Sequence, residues 1–124
     1  PQELTLSAKR AVLERLRDFS PEERGRMLSI FAALGSEPDR VLRAKAEYLS
    51  PGEARKLVLA EALSKQVLAL VLDEPTNHLD LPSIERLEGA LAEYPGAIVL
   101  VTHDDTFAAV VTTRRLRLEN GTVT

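Results

Sequence analysis

The stretch "LVLDEPTNHLD", Leu70 to Asp80, sets two adjacent carboxylates, Asp73 and Glu74, at the end of an apolar run, with a proline directly behind them. A carboxylate that follows a hydrophobic strand commonly holds the magnesium of a nucleoside triphosphate, and a neighbouring one can polarise the attacking water. A second apolar run, "AIVLVT", leads into His103. These residue types suggest phosphoryl transfer to water at an acidic edge. The phosphate cradle is missing from the chain: the pattern GxxxxGK[ST] needs glycines five apart, and none of Gly25, Gly35, Gly52, Gly89, Gly96 or Gly121 has a glycine five residues on.

Those charges make sense only if the elements around them bring strand ends together. "VLALVL", Val67 to Leu72, is rich in leucine and valine, too short for a helix and bounded by polar residues, which predicts a buried strand. Pro82 opens a helix with Ile84, Leu87 and Leu91 on one face, closed by Pro95-Gly96, and "AIVLVT" is a second strand. Strand, helix, strand in that order predicts a right-handed crossover with parallel strands. Ligands of open parallel sheets bind beyond the carboxyl ends of the strands, so neighbouring strands would bring Asp73, Glu74 and His103 to one edge. A short helix carrying Phe107, Val110 and Val111 follows, and "RRLRLENGTVT" alternates around Asn120-Gly121 as a β-hairpin does.

The first part of the chain has a different period. Val12, Leu13, Leu16 and Phe19 repeat at helical spacing over Ser7 to Phe19, and Met27, Leu28, Phe31 and Leu34 do so over Pro21 to Leu34. "SPEE", Ser20 to Glu23, is a capping box with proline at the first helical position, and Gly35 is a fitting stop. A polar connector, "SEPDR", precedes a short helix reaching Tyr48, and "SPGE", Ser50 to Glu53, opens a helix that runs to about Ser64. There is no internal repeat.

The 124 residues suffice for one small domain, and 44% hydrophobic content can fill a core. No apolar run approaches the roughly 20 residues of a membrane-spanning helix. "PQELTLSAKRAVLERLRDF" has no apolar centre, so it is no secretory signal. The absence of cysteine removes disulfides and thiolate metal sites and suits a reducing compartment. A cytoplasmic protein is expected. A net charge of -3 argues against binding nucleic acid through a basic surface of its own. Residues 1 to 56 hold 11 Lys+Arg against 9 Asp+Glu, whereas residues 57 to 124 hold 5 against 10, so the acid sits with the candidate site. The chain starts at Pro1 and its only methionine is Met27, so a piece of a longer protein is expected.

"YLSPGEARKLVLAEAL", then "VLALVLDEPTNHLD", then "IVLVTHD" resemble, in order and spacing, the second half of an ATP-binding cassette (ABC) ATPase domain. The resemblance runs from about Leu49 to Thr124, and the preceding helices look like that family's helical subdomain. "DEPTNHLD" looks like the F subfamily, soluble tandem-cassette proteins that generally act on ribosomes. The resemblance implies an α/β, partial P-loop NTPase fold. Residues 1–48 would be the helical subdomain and 49–124 the signature helix, the catalytic core half and a C-terminal hairpin; the phosphate-loop half is absent.

By the same resemblance Asp73 would hold Mg2+, Glu74 would be the general base and His103 the switch histidine. Ser50, Gly52 and Glu53 of "LSPGE" would face the terminal phosphate of ATP on a second cassette, and Asp80 would lie in the loop contacting that cassette. ATP and Mg2+ are the implied cofactors. A second cassette is the implied partner, with the ribosome reached through other segments and no direct membrane insertion. Two positions depart from the family's pattern: Pro51 stands where glycine is usual, and Asp105 where a basic residue is common.

Each feature also has a plainer reading. "SPGE" is a capping box, Asp73-Glu74-Pro75 a polar strand end entering a turn, and a single histidine is often structural. Three functional alternatives stand beside the resemblance. One is a non-enzymatic folding or dimerisation module, another the ATPase subunit of a membrane transporter. The third is a metal-dependent phosphohydrolase using His78, Asp80, His103, Asp104 and Asp105, although "HDD" lacks a histidine pair at ligand spacing.

Overall fold

The computed structural model describes residues 4–65 and 69–112, together with the backbone of 118–119 and 122–123. Helix α1, Leu6–Asp18, begins at Thr5, whose hydroxyl accepts from the Ala8 N–H. Helix α2, Pro21–Ala33, starts with the expected capping box: Ser20 Oγ accepts from the Glu23 N–H, and Glu23 accepts from the Ser20 N–H. It ends at Gly35, where φ is +97, with Gly35 N–H bonded to Ala32 O and Ser36 N–H to Phe31 O. That bond pair is a Schellman cap, and the left-handed φ it needs is one glycine supplies without strain. Arg24 joins the two helices by donating to the carbonyls of Leu16, Arg17 and Phe19 at the end of α1.

The expected polar connector is shorter than "SEPDR". Helix α3, Pro38–Arg43, already includes its last three residues, because a proline at the first helical position presets φ and gives up no usable N–H. A separate 3-10 turn, Ala46–Tyr48, replaces the continuous helix expected up to Tyr48. Helix α4, Pro51–Ser64, carries a second complete capping box between Ser50 and Glu53.

The strands are β1, Ala69–Asp73, and β2, Ala97–Val101, with α5, Leu81–Ala92, between them and α6, Asp105–Val111, after them. They pair in parallel, with Leu70 opposite Ile98, Leu72 opposite Leu100 and Asp73 opposite Val101. The start of the first expected strand, Val67-Leu68, lies outside the described residues. So does the Asn120-Gly121 turn, although its flanks β3, Leu118–Glu119, and β4, Thr122–Val123, pair antiparallel as a hairpin requires.

Two hydrophobic clusters share α4. One joins Val12, Leu13 and Leu16 of α1, Met27 and Phe31 of α2, and Val41 with Ala54, Leu57 and Ala60 of α4. The other packs Leu59 and Leu63 of α4 with Leu34, Leu70 and Leu72 of β1, Leu87 and Leu91 of α5, and Phe107 of α6. Burying a leucine contributes about 1.5–3 kcal/mol relative to leaving it exposed. Because α4 is covered on several sides, Glu61 is caught inside at 7% exposure, and Arg15 of α1 meets its carboxylate with two bonds of 2.5 and 2.8 Å. That hydrogen bonding raises the Arg15 pKa.

Among the described residues only one face of the β1–β2 pair is packed. Val71, Val99 and Val101 are 67%, 52% and 51% exposed on the other. Phe107 is buried and Val111 packs beside it, while Val110, grouped with them on sequence, is 61% exposed. Among the described residues no helix is long and apolar enough to cross a membrane.

Candidate functional site

The two strands end level with one another, and the site is built on that fact. Asp73 is the last residue of β1, opposite Val101. The pairing continues for one more bond, Glu74 N–H to Val101 O at 2.7 Å, after which the chain turns sharply with Glu74 at φ +47. β2 runs on into Thr102 and His103, so the acidic pair and the histidine share one sheet edge as expected.

Glu74 is held from that neighbouring strand end. Its Oε1 accepts the His103 backbone N–H at 3.0 Å, and its Oε2 lies 3.5 Å from the Thr102 hydroxyl. Thr102 Oγ1 in turn accepts from the Asp104 N–H at 3.0 Å. The Glu74 side chain is only 13% exposed, whereas the His103 ring is fully exposed with Nε2 3.6 Å from Glu74 Oε1. A carboxylate offers about four lone-pair sites. These contacts leave Glu74 with acceptor capacity for a water.

Asp73 is exposed. Behind it stands Arg55 of α4, half-buried, with a guanidinium whose pKa is lowered by burial against an opposing pull from the Asp73 carboxylate. Arg55 Nε is fully buried and has no hydrogen-bond partner among the described residues. Mg2+ on a triphosphate takes one or two carboxylates and completes its shell with water and phosphate oxygens. An exposed carboxylate beside Glu74 fits that donor set. No group of three or more His, Cys, Asp or Glu side chains among the described residues could form an all-protein metal site.

From Pro75, which is buried, the chain turns through bonds of Asn77 N–H to Glu74 O at 3.3 Å and Leu79 N–H to Thr76 O at 3.1 Å, with His78 at φ +66. Asp80 closes the turn and caps α5, its Oδ1 accepting the Ser83 N–H at 2.9 Å. Hydrogen bonding from Ser83, its side chain first and its N–H second, holds the Asp80 pKa below its ordinary value, with Lys56 and Arg86 adding attraction. Asp104 Oδ1 caps α6 through the Phe107 N–H at 2.9 Å. Asp80 and Asp104 are thus engaged as caps of separate helices, which does not favour the phosphohydrolase alternative.

The turn leans on the start of α4. Ser50 is exposed, and its Oγ accepts the Glu53 N–H at 3.0 Å. A hydroxyl that accepts one bond still has its proton to donate. The Gly52 N–H lies in the first turn of α4, where an N–H has no intrahelical acceptor. Glu53 uses one oxygen for the Ser50 N–H and the other for Arg40 of α3. The Ser50–Glu53 turn approaches the 74–80 turn at Gly52, where an added Cβ would stand 3.1 Å from the His78 backbone oxygen, and the 74–80 turn leads directly from the end of β1.

Sequence reasoning missed Thr102 and Arg55. A hydroxyl residue directly between a strand and a histidine is a usable signal for the first. Nothing local marks the second, since an arginine in the second turn of a helix ordinarily reads as solvated.

The family model described as "ABC transporter" matches residues 1–77, more than half of the chain. This chain belongs to that family of ABC ATPases. It is 39% identical over 122 residues to the tylosin resistance ATP-binding protein TlrC of Streptomyces fradiae, covering 98% of this chain and 22% of that protein. It is 42% identical over 81 residues to ABC transporter F family member 2 of Arabidopsis thaliana, covering 65% and 12%. With the energy-dependent translational throttle protein EttA of Mycobacterium tuberculosis it shares 49% identity over 73 residues, covering 59% and 13%. Among solved structures, the dimeric structure of MJ0796, a bacterial ABC transporter cassette, matches with a TM-score of 0.65 and 28% identity over 84% of this chain and 49% of that one. The α/β fold and the likeness to the F subfamily agree with the sequence reading. The chain spans about a fifth or less of the length of these curated relatives.

Proposed function

We propose that this chain is the catalytic-core half of an F-type ABC cassette that hydrolyses ATP between two cassettes arranged head to tail, in a cytoplasmic protein acting on translation. Residues 1–48 serve as the helical subdomain and 49–124 as the signature helix and core, with α4 contributing to both hydrophobic clusters and so joining the two parts. The observation that carries the reading is Glu74, its side chain only 13% exposed at a strand end and oriented by the His103 N–H.

Bound Mg2+ would offset phosphate charge, with Asp73 the residue that holds it. Glu74 takes the proton from the attacking water; its two bonds to the 102–103 segment fix which lone pairs face that water. His103, free of packing, reaches the terminal phosphate. Ser50 donates its remaining proton, and Gly52 its N–H, to the phosphate of ATP on the second cassette, at a helix N-terminus that favours an anion. Glu53 and Arg40 keep the Ser50 turn closed. Asp80 presents its uncapped oxygen to the second cassette. The phosphate cradle comes from sequence outside these residues. Similarity to a protein named as a translational throttle supports the ribosome as target.

The test is a chimera in which this chain replaces the matching 122 residues of TlrC. Glu74→Gln keeps the shape but cannot accept the proton, so turnover is expected below about a tenth, roughly 1.4 kcal/mol of barrier, with ATP still bound. Asp73→Asn is expected to raise the Mg2+ requirement instead. Turnover retained in Glu74→Gln would remove Glu74 from the role of base.

A further inference from the structure

Gly52 occupies the second position of α4, where alanine would serve the helix better. A Cβ at this position would stand 3.1 Å from the backbone oxygen of His78. The 74–80 turn therefore rests on the first turn of α4 at a spot that is open because residue 52 has no side chain. His78 at φ +66 and Glu74 at φ +47 both lie in the left-handed region, which side-chain-bearing residues hold only when their surroundings enforce it. The ends of the turn are anchored, at one end by Glu74 N–H to Val101 O and at the other by the Asp80 cap on α5. Among the described residues its middle carries the two turn bonds of Asn77 and Leu79, while Pro75 is buried and Leu79 packs against the second hydrophobic cluster. The His78 carbonyl between them faces the start of α4.

We propose that Gly52 is a positioning residue within its own chain: the His78 carbonyl seats on it, and this contact holds the 74–80 turn in the form that keeps Glu74 against the His103 N–H. The Ser50–Glu53 turn and the Glu74–His103 pair are then one mechanical unit, and a displacement at either is felt at the other. The value of that coupling for hydrolysis rests on the reading of Glu74 as base. The coupling itself does not.

It can be tested in the 124-residue chain without nucleotide, by backbone amide spectra and hydrogen exchange. In Gly52→Ala the His78 carbonyl must give way, so amide shifts are expected at 74–80 and at His103 as large as those at 50–54. Asn77 and Leu79 should exchange about threefold faster or more, while amides of the core segment around Leu57 keep their protection. His78→Gly removes the left-handed strain and is expected to shift Gly52 and Glu53 in the reverse direction of the coupling. Combining both changes should return the His103 amide toward its original position. Shifts confined to 49–56 in Gly52→Ala would overturn the proposal. Should that variant fail to fold, an unmoved 50–53 segment in His78→Gly would overturn it equally. These spectra are independent of the Glu74→Gln turnover, so failure of the hydrolytic reading and failure of the coupling are distinguishable.

Discussion

At the scale of single residues, the side chains of this site mostly serve two purposes at once. Ser50 caps α4 and keeps a proton to donate; Asp80 caps α5 and keeps an oxygen. The capping role has its own pH signature. Asp80 and Glu23 both have pKa values lowered by helix-cap hydrogen bonds, from ordinary values of 3.8 and 4.5. The folded state therefore prefers the ionised forms. The stabilisation is complete above the ordinary values and is lost as pH falls through the lower folded-state values. Urea midpoints measured from about pH 6 to pH 3 should fall on the acid side. Asp80→Asn keeps a good cap but removes one titration, so its acid limb should be shallower. An unchanged limb would mean that the Asp80 cap contributes nothing to acid sensitivity.

Elements are delimited by signals that act over three or four residues. Three caps at α1, α2 and α4 use Ser or Thr, and α2 and α4 have complete boxes with proline behind the cap. Pro51 replaces a glycine that the family ordinarily has, and at the first position of α4 it sits where its fixed φ helps and its missing N–H is not needed. Pro51→Gly should lower stability by about 0.5–1 kcal/mol through a freer unfolded chain, read as a lower urea midpoint at unchanged slope. In the TlrC chimera the same change should alter turnover less than about threefold, under 0.7 kcal/mol of barrier. A tenfold gain would instead mark the proline as a block on the signature turn.

The whole molecule presents an acidic edge without a phosphate cradle. Asp73, Glu74, Asp80, Asp104 and Asp105 stand at or near the strand ends, and the chain contains no GxxxxGK[ST]. A polyanion is repelled unless backbone N–H groups and a lysine neutralise it. The isolated chain should bind Mg-ATP with a Kd weaker than about 10 μM, roughly -7 kcal/mol. Titration calorimetry decides it, and tighter binding would show that the α4 N-terminus and its neighbours suffice to hold a triphosphate.

The elements, and the placing of the acidic pair and His103 at strand ends, were legible in the sequence because their causes are local. Helix caps act at i to i+3, periodicity shows within a few turns, and the acidic pair and His103 each follow an apolar run directly. What the tertiary structure alone decided lies between residues far apart in sequence. The level ends of β1 and β2 put the His103 N–H on Glu74 and made Thr102 part of the site. The burial of α4 on several sides trapped Glu61 against Arg15 and pressed Arg55 toward Asp73, where a local reading sees only a solvated arginine. Position 52 shows both levels at once: in sequence it is a glycine near a helix start, and the closeness of the His78 carbonyl gives a steric reason for it to lack a side chain. Local patterns specify which backbone form each segment takes; long-range packing determines which of those segments meet and which polar groups lose water.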